Sequence, residues 1–375
     1  MSETPGGPHP SGRRTQRHDH RGRSVRPVTG HEQNPAADLG GSRVLVTGGA
    51  GFIGSHLVDT LLARGAAQVR VLDNLVNGTR ENLAHLDDNP SVSLITGDVR
   101  DRAARDAALT DIDIVYHLAC LGVRHSLHDP VENHLVNASG SLDMLISARE
   151  HVVDRFIYVS TSEVFGTAQY APMDEQHPTW PETVYGGGKL AGEAYARAFY
   201  RTYGMDTVVV RPFNTYGPRS HFEGDSGEVL PRTIVRLLAG HRPLIFGDGE
   251  QTRDFMHVSD TANALALLAK ASGAAGQTLN LGSGTEVTMN ELCAAVALAA
   301  RRPDLTPEHV EARPGDVRRL IGDPTRMRTL TGFEPRVGFD DGVAQLVDWF
   351  SNNRQTRSEM LDRVADRNWL TGAVT

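Results

Sequence analysis

The chain has 375 residues, 39% of them hydrophobic, which is enough for one large domain or two smaller ones. Its net charge of −8 argues against a nucleic-acid-binding protein, and no apolar run is long enough to span a membrane. Only two cysteines are present, Cys120 and Cys293, so no disulfide framework is expected and a cytoplasmic location is predicted.

The first 41 residues differ in composition from the rest of the chain. They are rich in Gly, Pro, Arg and His and nearly lack large aliphatic side chains. Such a segment buries too little apolar surface to offset the entropy lost on ordering. We therefore expect residues 1–41 to form a disordered tail.

From Arg43 onward, short apolar runs alternate with segments of helical periodicity. The runs that predict strands are RVLVTG, VRVLD, VSLITGD, DIVYHLA, RFIYVS and DTVVVRPF. The segments that predict helices are FIGSHLVDTLLARG, NHLVNASGSLDMLISARE and the stretch from Tyr185 to Tyr203. This alternation is typical of an α/β protein and predicts a Rossmann-type, doubly wound parallel sheet over residues 42–213.

After Asn214 the alternation loosens, and loops with Gly and Pro separate the elements. Helices are predicted at Val229–Ala239, Ser259–Ala271 and Met289–Arg301, with strands at PLIF and TLNLG. We interpret residues 214–350 as a smaller C-terminal α/β substrate lobe, whose elements are free to interleave with the first lobe. Residues 351–375 are expected to form a C-terminal tail.

A glycine-rich turn, VTGGAGFIG, connects the first strand to the first helix. Gly49, Gly51 and Gly54 fit G-x-G-x-x-G, and Gly48, Gly51 and Gly54 fit G-x-x-G-x-x-G. Glycines permit the tight turn and let the backbone approach a pyrophosphate, while the helix N-terminus supplies N–H groups. The turn therefore predicts a dinucleotide site.

Asp73 ends the second strand, where a carboxylate accepts hydrogen bonds from the adenosine ribose and repels a 2′-phosphate. This favours NAD over NADP, and Asp98 is a further candidate, for an adenine contact. The predicted cofactor-binding residues are Gly48, Gly51, Phe52, Ile53, Gly54, Asp73, Asn74, Asp98 and Val99, together with Tyr185 and Lys189.

Tyr185 and Lys189 lie four residues apart in VYGGGKLAGE and therefore share one helix face. A nearby ammonium group is expected to lower the pKa of the tyrosine, so that Tyr185 can take a hydroxyl proton while NAD takes a hydride. Lys189 is also expected to hold the nicotinamide ribose.

Five motifs, TGGAGFIG, YGGGK, STSEVFG, RPFNTYGPR and GDGEQTRDFMHVSD, resemble those of the extended short-chain dehydrogenase/reductases that modify nucleotide sugars. The resemblance covers about Arg43 to Phe350. It implies NAD in the first lobe, a UDP-, GDP- or dTDP-sugar in the second, and a homodimer formed through a four-helix bundle. The sequence departs from the family at Gly186–Gly188, where serine or alanine is usual.

The resemblance also implies which residues contact the substrate. Asn214, Arg219 and Arg253, with Asp316 and Arg318 in RPGDVRR, match positions that bind the nucleotide and its diphosphate. Arg124 is added as a cationic candidate in the sugar site. No metal-ligand spacing is found among the 16 histidines, so no metal is expected.

Enzymes of this type first oxidise the sugar C4 hydroxyl, and residues 160–163 indicate the reaction of the resulting ketone. By similarity, Thr161 binds the C4 oxygen. Glu163 is positioned to remove the C5 proton, which the C4 ketone acidifies. Loss of the C6 hydroxyl then makes a 4,6-dehydratase. Aspartate occupies the position of Ser162 in dTDP-glucose dehydratases, so a water held by Ser162 is the proposed acid.

Other outcomes stay open at this point. A 4-epimerase needs no C5 base, and Glu163 would then be idle. A UDP-glucuronate decarboxylase also carries STSE and needs a cation for the carboxylate, which Arg124 or Arg253 offers. A rarer 5,6-elimination is a further possibility, and a relative that binds NAD without turnover belongs to a different class. The intact Tyr185–Lys189 pair argues against that class.

Overall fold

A computed structural model describes residues 39–312 and 317–367 of the chain. Asp316 and all but the last three residues of the predicted tail at 1–41 lie outside these described residues.

Seven strands form the central sheet, and every neighbouring pair in it is parallel. The strands are β1 (Arg43–Thr47), β2 (Gln68–Asp73), β3 (Val92–Thr96), β4 (Ile114–His117), β5 (Arg155–Val159), β6 (Thr207–Pro212) and β11 (Thr278–Leu281). Their order is β11-β6-β5-β4-β1-β2-β3. This order contains the 3-2-1-4-5-6 arrangement of a Rossmann sheet, so the predicted doubly wound α/β fold is confirmed.

Strand β1 lies in the interior of the sheet, where Val44 pairs with Val69 of β2 on one side and with Ile114 of β4 on the other. The strand order reverses between β1 and β4. Ligands of open α/β sheets bind at the carboxyl ends of the strands beside such a reversal. The fold therefore points to a site above Thr47 and His117, the last residues of these two strands.

Helices cover both faces of the sheet. These are α1 (Phe52–Ala63), α2 (Arg102–Leu109), α3 (His125–His128), α4 (Pro130–His134), α5 (Gly140–Glu150), α6 (Val184–Tyr203) and α8 (Val258–Leu267). Helices α1 and α8 pack against one face, around Leu57, Leu61 and Leu265. Helices α2, α5 and α6 cover the other face, around Leu109, Leu145 and Phe199.

The helix predicted from NHLVNASGSLDMLISARE is interrupted by a π-helical turn. Helix α4 passes into this turn at Leu135–Ser139, and α5 continues from Gly140. Such turns are frequent at functional sites, and this one carries the buried side chain of Asn137.

The chain after Asn214 builds a second, smaller core but also returns to the main sheet through β11. Its other elements are β7 (Asn214–Tyr216), α7 (Val229–Leu238), β8 (Leu244–Phe246), β9 (Thr252–Arg253), β10 (Phe255–His257), β12 (Val287–Thr288), α9 (Met289–Ala299), β13 (Glu308–Val310), β14 (Arg319–Leu320), α10 (Thr325–Thr331), α11 (Phe339–Ser351) and α12 (Arg357–Asp362). Helices α7, α9 and α11 enclose this second core around Ile234, Val296 and Leu346.

Candidate active site

One large cavity, of about 1160 Å³, opens at the carboxyl edge of the sheet. Its wall includes the glycine-rich turn, the end of β2, the segment after β5, the first turns of α6, and parts of β7, α7 and β8. The predicted site residues that line it are Gly48, Gly51, Phe52, Ile53, Gly54, Asp73, Asn74, Val99, Arg124, Thr161, Ser162, Glu163, Tyr185, Lys189, Asn214 and Arg253.

The glycine-rich turn is tight because two of its glycines tolerate no side chain. Gly48 has a φ of +71°, and a Cβ there would lie 2.8 Å from the backbone nitrogen of Ala119. A Cβ on Gly54 would collide with the carbonyl oxygen of Gly48. Helix α1 begins directly after Gly51, which has no side chain to cap the first N–H groups. This cradle at a helix N-terminus fits the pyrophosphate of a dinucleotide.

Asp73 is buried at the end of β2, where two backbone groups hold its carboxylate. The amides of Ala50 and Leu75 donate to it at 2.9 and 2.8 Å. Burial raises the pKa of Asp73 above its ordinary value, and these two hydrogen bonds oppose the rise. A fixed carboxylate on the cavity wall is compatible with a ribose diol, and the ribose contact of Asp73 stays a prediction.

Asp98, by contrast, does not line the cavity with its neighbours Gly97 and Val99. Arg100 donates to both of its carboxylate oxygens at 2.8 Å, and Asn74 donates to it at 3.1 Å. Hydrogen bonds from Arg100 hold the pKa of Asp98 well below its ordinary value. The adenine contact predicted for Asp98 therefore stays a prediction.

Tyr185 and Lys189 both line the cavity from α6, but the ammonium group contacts the backbone. Lys189 Nζ donates to the carbonyl oxygen of Val159 at 2.6 Å and lies 4.7 Å from the ring centroid of Tyr158. The expected lowering of the Tyr185 pKa is wrong for this structure: burial raises it, and nearby Cys120 and Glu163 add to the rise. The Thr161 hydroxyl opposes the rise.

Two of the three glycines at the start of α6 pack against other segments. A Cβ on Gly186 would lie 2.8 Å from the carbonyl oxygen of Glu163, and one on Gly188 would lie 3.1 Å from Asn137 Cβ. No heavy atom of the described chain lies within 4 Å of a Cβ added at Gly187. Gly186 thus lets the segment that carries Glu163 approach the helix, which explains the unusual helix start.

These contacts predict opposite effects for two neighbouring substitutions. Gly187→Ala is expected to raise the free energy of unfolding by about 0.5–1 kcal/mol, because alanine loses less conformational entropy in a helix. Gly186→Ala is expected to lower both stability and turnover, because its methyl group displaces Glu163. Urea denaturation and steady-state kinetics measure the two effects. Equal effects of the two substitutions would contradict this interpretation.

Residues 160–163 follow β5 and form a short turn at the cavity. The hydroxyl of Thr161 accepts from the backbone N–H of Glu163 at 3.2 Å and begins a 3₁₀ turn, Ser162–Val164. The Glu163 carboxylate is close enough to Tyr185 to raise the pKa of the phenol. Tyr185, Thr161 and Glu163 therefore line one cavity, and both of the latter affect the pKa of the tyrosine.

A buried polar network beneath the site was not predicted from the sequence. His117 contacts the hydroxyls of Thr47 at 2.7 Å and Ser141 at 3.1 Å, and burial lowers its pKa to about 3. Ser141 donates to the carbonyl of Asn137, whose side chain holds both backbone groups of Leu121. The network thus fixes the loop that carries Cys120. In the sequence, this network was indicated only by polar residues that interrupt an otherwise apolar strand and helix.

The predicted substrate residues fall into two groups. Arg124, Asn214 and Arg253 line the cavity, and the buried Asn214 Oδ1 has no hydrogen-bond partner within the described part of the chain. Arg219 instead pairs with Asp59 at 2.9 Å and Arg318 with Asp248 at 2.7 Å, both away from the cavity wall. Asp316 lies outside the described residues.

Several charged residues of the cavity wall were missed because they follow no recognised spacing. His221, Glu228, Arg232 and Arg236 come from the loop before α7 and from α7 itself. Burial raises the pKa of Glu228 to about 8, and the charge of Arg124 opposes the rise.

The described residues contain no group of three or more His, Cys, Asp or Glu side chains arranged to hold a metal ion. Likewise, no helix in the described ranges is both long enough and apolar enough to cross a bilayer.

A glycine-rich cradle at a helix N-terminus, a fixed carboxylate at the end of β2 and a Tyr–Lys helix face on one cavity define a nicotinamide-dependent enzyme of the short-chain dehydrogenase/reductase type. Residues 45–346 match the GDP-mannose 4,6 dehydratase family, and the chain belongs to this extended family of enzymes acting on nucleotide sugars. Its cofactor is NAD.

Similar proteins carry more than one name. A putative UDP-glucose 4-epimerase of Methanocaldococcus jannaschii is 34% identical, over 84% of this chain and all of that protein. A dTDP-glucose 4,6-dehydratase of Streptomyces niveus is 35% identical, over 83% of this chain and 94% of that protein. The dTDP-glucose 4,6-dehydratase of Streptomyces venezuelae, solved with NAD bound, superimposes with a TM-score of 0.78 at 34% identity, covering 83% and 98% of the two chains.

Proposed function

We propose that the protein is a nucleotide-sugar 4,6-dehydratase in which Tyr185 and Lys189 serve the oxidation of C4 and Glu163 is the C5 base. The observation that carries this proposal is that Glu163 lines the same cavity as Tyr185, where its charge adds to the rise of the Tyr185 pKa. A base next to the group that binds the C4 oxygen is within one carbon of the C5 proton.

Bound NAD supplies a hydride acceptor, a positively charged ring, and later the returning hydride. The Tyr185 side chain would hold the C4 hydroxyl and take its proton as the phenolate, a form that the positive charge of bound NAD would favour against the burial of Tyr185, while Thr161 would orient the same oxygen. Lys189 uses one of its three N–H donors on Val159, which leaves two for a ribose. Gly48, Gly51 and Gly54 hold the pyrophosphate and Asp73 the other ribose.

After C4 is a ketone, Glu163 removes the proton from C5 and the C6 hydroxyl leaves. That hydroxyl departs as water with a proton delivered by a water on Ser162, and the hydroxide left there takes up the proton that Tyr185 removed from the C4 hydroxyl, which restores both groups. Glu163 exchanges this proton with solvent and later returns a proton to C5 when C6 is reduced, so the sugar loses one water and is otherwise redox-neutral.

Mass analysis of the product tests this proposal. The protein is incubated with NAD and separately with UDP-, GDP- and dTDP-hexoses. A product lighter by one water is expected for at least one of them. Loss of carbon dioxide from a nucleotide uronic acid, or a hexose product of unchanged mass, would contradict dehydration.

A 4-epimerase is the second candidate, because a relative of similar identity bears that name. Such an enzyme uses the same tyrosine and lysine but returns the hydride to C4. Glu163 would then have no proton to remove, which is why we favour the dehydratase.

The cofactor is expected to be recycled in every turnover, since the hydride removed from C4 is returned to the sugar. Catalytic amounts of NAD should therefore support complete conversion, and NADH absorbance should not grow with product. The measurement is absorbance during turnover with substrate in large excess over NAD. One NADH formed for each sugar consumed would indicate a net dehydrogenase.

We further propose that residues 42–213 bind NAD and residues 214–350 bind the nucleotide sugar, although β11 of the second segment is a strand of the main sheet. The mixed cavity wall supports this assignment, since it combines the turn after β1 with β7, α7 and β8. A cytoplasmic location stays a prediction, and both cysteines are free thiols.

A homodimer through α4, α5 and α6 is also proposed. Apolar side chains are exposed on or beside these helices: Leu127, Val131, Leu135, Ile146 and Tyr203. Val131 is 67% exposed, so Val131→Asp is expected to leave the fold intact and give a monomer in analytical ultracentrifugation. As a control, Leu298→Asp changes a similarly exposed residue on α9 and should leave the dimer unchanged.

A further inference from the structure

A carboxylate with no role in the proposed mechanism is buried beneath the active site. Glu193 lies on α6, one turn beyond Lys189, and its side chain is fully buried. Ser160 Oγ donates to its Oε1 at 2.6 Å, and Arg211 donates through Nε at 2.9 Å and through Nη2 at 2.7 Å. Arg197 adds a fourth hydrogen bond, at 3.0 Å, from the more exposed side.

These partners keep Glu193 ionised. Burial by itself would raise the pKa of the carboxyl group, but the hydrogen bonds and charge of Arg211 outweigh this and hold the pKa below its usual value. A buried ion pair of this kind is a weak source of stability, because desolvation offsets most of the attraction between the charges. The geometry of the Glu193–Arg211 pair therefore says more about its role than its contribution to stability does.

Three elements meet at this carboxylate. Ser160 follows β5 and directly precedes Thr161, and its amide donates to Val210 of β6 at 2.6 Å. Arg211 is the next residue of β6. Helix α6 thus makes two side-chain hydrogen bonds to the end of β5 and the residue after it. Lys189 donates to the carbonyl of Val159, and Glu193 accepts from the hydroxyl of Ser160.

We propose that Glu193 is a positioning residue that holds the segment Ser160–Glu163 in register with Tyr185 and Lys189. The inference rests on the part of the proposed function in which Tyr185 and Lys189 oxidise C4. That step is common to the dehydratase and the epimerase.

The charge of Glu193 has a second consequence, for Lys189. Burial lowers the pKa of Lys189, and the charges of Cys120 and Glu193 counteract this effect. The titratable groups facing Lys189 are Cys120, His117, Tyr158 and Glu193, and those facing Glu193 are Lys189, Arg197, Arg211 and Tyr158. Loss of the Glu193 charge lowers the Lys189 pKa further, so Lys189 loses its proton at a lower pH.

Two substitutions test the proposal through kcat, KM and the rate of C4 oxidation. Ser160→Ala removes one hydrogen bond and leaves the Glu193–Arg211 pair intact, so the protein is expected to fold. Its kcat should fall about tenfold with little change in KM, and Glu193→Gln should lower kcat about 10²-fold, as sub-ångström to ångström misplacement does. In Glu193→Gln the high-pH limb of the rate profile should also move to lower pH.

A readout on the cofactor-free protein and a matched control complete the test. Hydrogen–deuterium exchange should increase at residues 161–165 in Ser160→Ala. Arg197→Gln removes the other partner of the same carboxylate, away from the active site, and should leave kcat unchanged. The double variant Ser160→Ala/Glu193→Gln should be no slower than Glu193→Gln, because the two residues act through one contact.

Wild-type kcat and exchange in Ser160→Ala would overturn the proposal, and so would an unshifted pH profile in a folded Glu193→Gln. If the product proves not to be dehydrated, the proposed function fails. The loss of C4 oxidation in these variants still tests the role of Glu193.

Discussion

The Glu163→Gln variant is expected to oxidise the sugar at C4 but to release dehydrated product about 10²–10⁴-fold more slowly, since it lacks the C5 base. The substitution should not disturb the turn, because the turn is held by the backbone N–H of Glu163 donating to Thr161. The reduced cofactor is therefore expected to accumulate transiently with a 4-keto sugar, observed by NADH absorbance and mass spectrometry after rapid quenching.

The control for this experiment is Glu182→Gln. Glu182 is a carboxylate on the same cavity wall, where it accepts a hydrogen bond from Thr167 at 3.1 Å. It has no contact with Tyr185 in the proposed mechanism, so its loss should leave turnover near that of the wild type. A general effect of removing negative charge from the cavity would slow both variants alike.

Deuterated water separates dehydration from epimerisation in the wild-type enzyme. A dehydratase exchanges the C5 proton through Glu163, so the product should carry deuterium at C5. An epimerase leaves C5 untouched. Product without C5 deuterium, together with near-normal turnover in Glu163→Gln, would exclude the dehydratase and leave the epimerase.

The sequence was most informative where local pattern and long-range structure agree. The buried strands are nearly continuous apolar runs, because helices cover both faces of a parallel sheet. This pattern allowed strands β1 to β6 to be predicted from the sequence. The glycines of the first turn were equally clear, since Gly48 and Gly54 admit no side chain. Helix α6 begins at Val184, one residue before its predicted start.

Side-chain partners were harder to predict because they come from distant parts of the chain. Arg219 fits a substrate-binding motif, yet Asp59 on α1 binds it, and Asp98 is held by Arg100 and Asn74. The short strand β11 pairs with β6, but the chain between these two strands builds the separate second core. The sequence of β11 therefore does not indicate which sheet it joins. The spacing of Tyr185 and Lys189 predicted that they share one helix face, but it did not predict that the Lys189 ammonium group donates to the backbone of Val159.

That last point leads to the largest expected effect, in Tyr185→Phe. Removing the phenol leaves no group to take the C4 proton. We therefore expect the rate of C4 oxidation itself to fall by about 10⁴-fold, the upper end of the range for loss of a general base. Neither reduced cofactor nor a 4-keto sugar should accumulate. The substitution removes one hydroxyl and keeps the ring, so the protein is expected to stay folded.

Two comparisons separate this chemical role from a binding role. Tyr195→Phe removes a phenol from the same helix, where the ring packs against the core beneath the sheet, and turnover should be unchanged. NAD affinity, measured by calorimetry, should be retained in Tyr185→Phe, because the glycine turn and Asp73 are intact. A Tyr185→Phe variant that turns over at the rate of Tyr195→Phe would remove the phenol from the mechanism.

Combining the two substitutions orders the steps. If Tyr185 acts at C4 before Glu163 acts at C5, the variant Tyr185→Phe/Glu163→Gln never reaches the step that needs the glutamate. It should therefore be as slow as Tyr185→Phe alone and form no 4-keto sugar. Multiplicative losses would instead mean that the two side chains contribute independently to one rate-limiting step, which would contradict the proposed order.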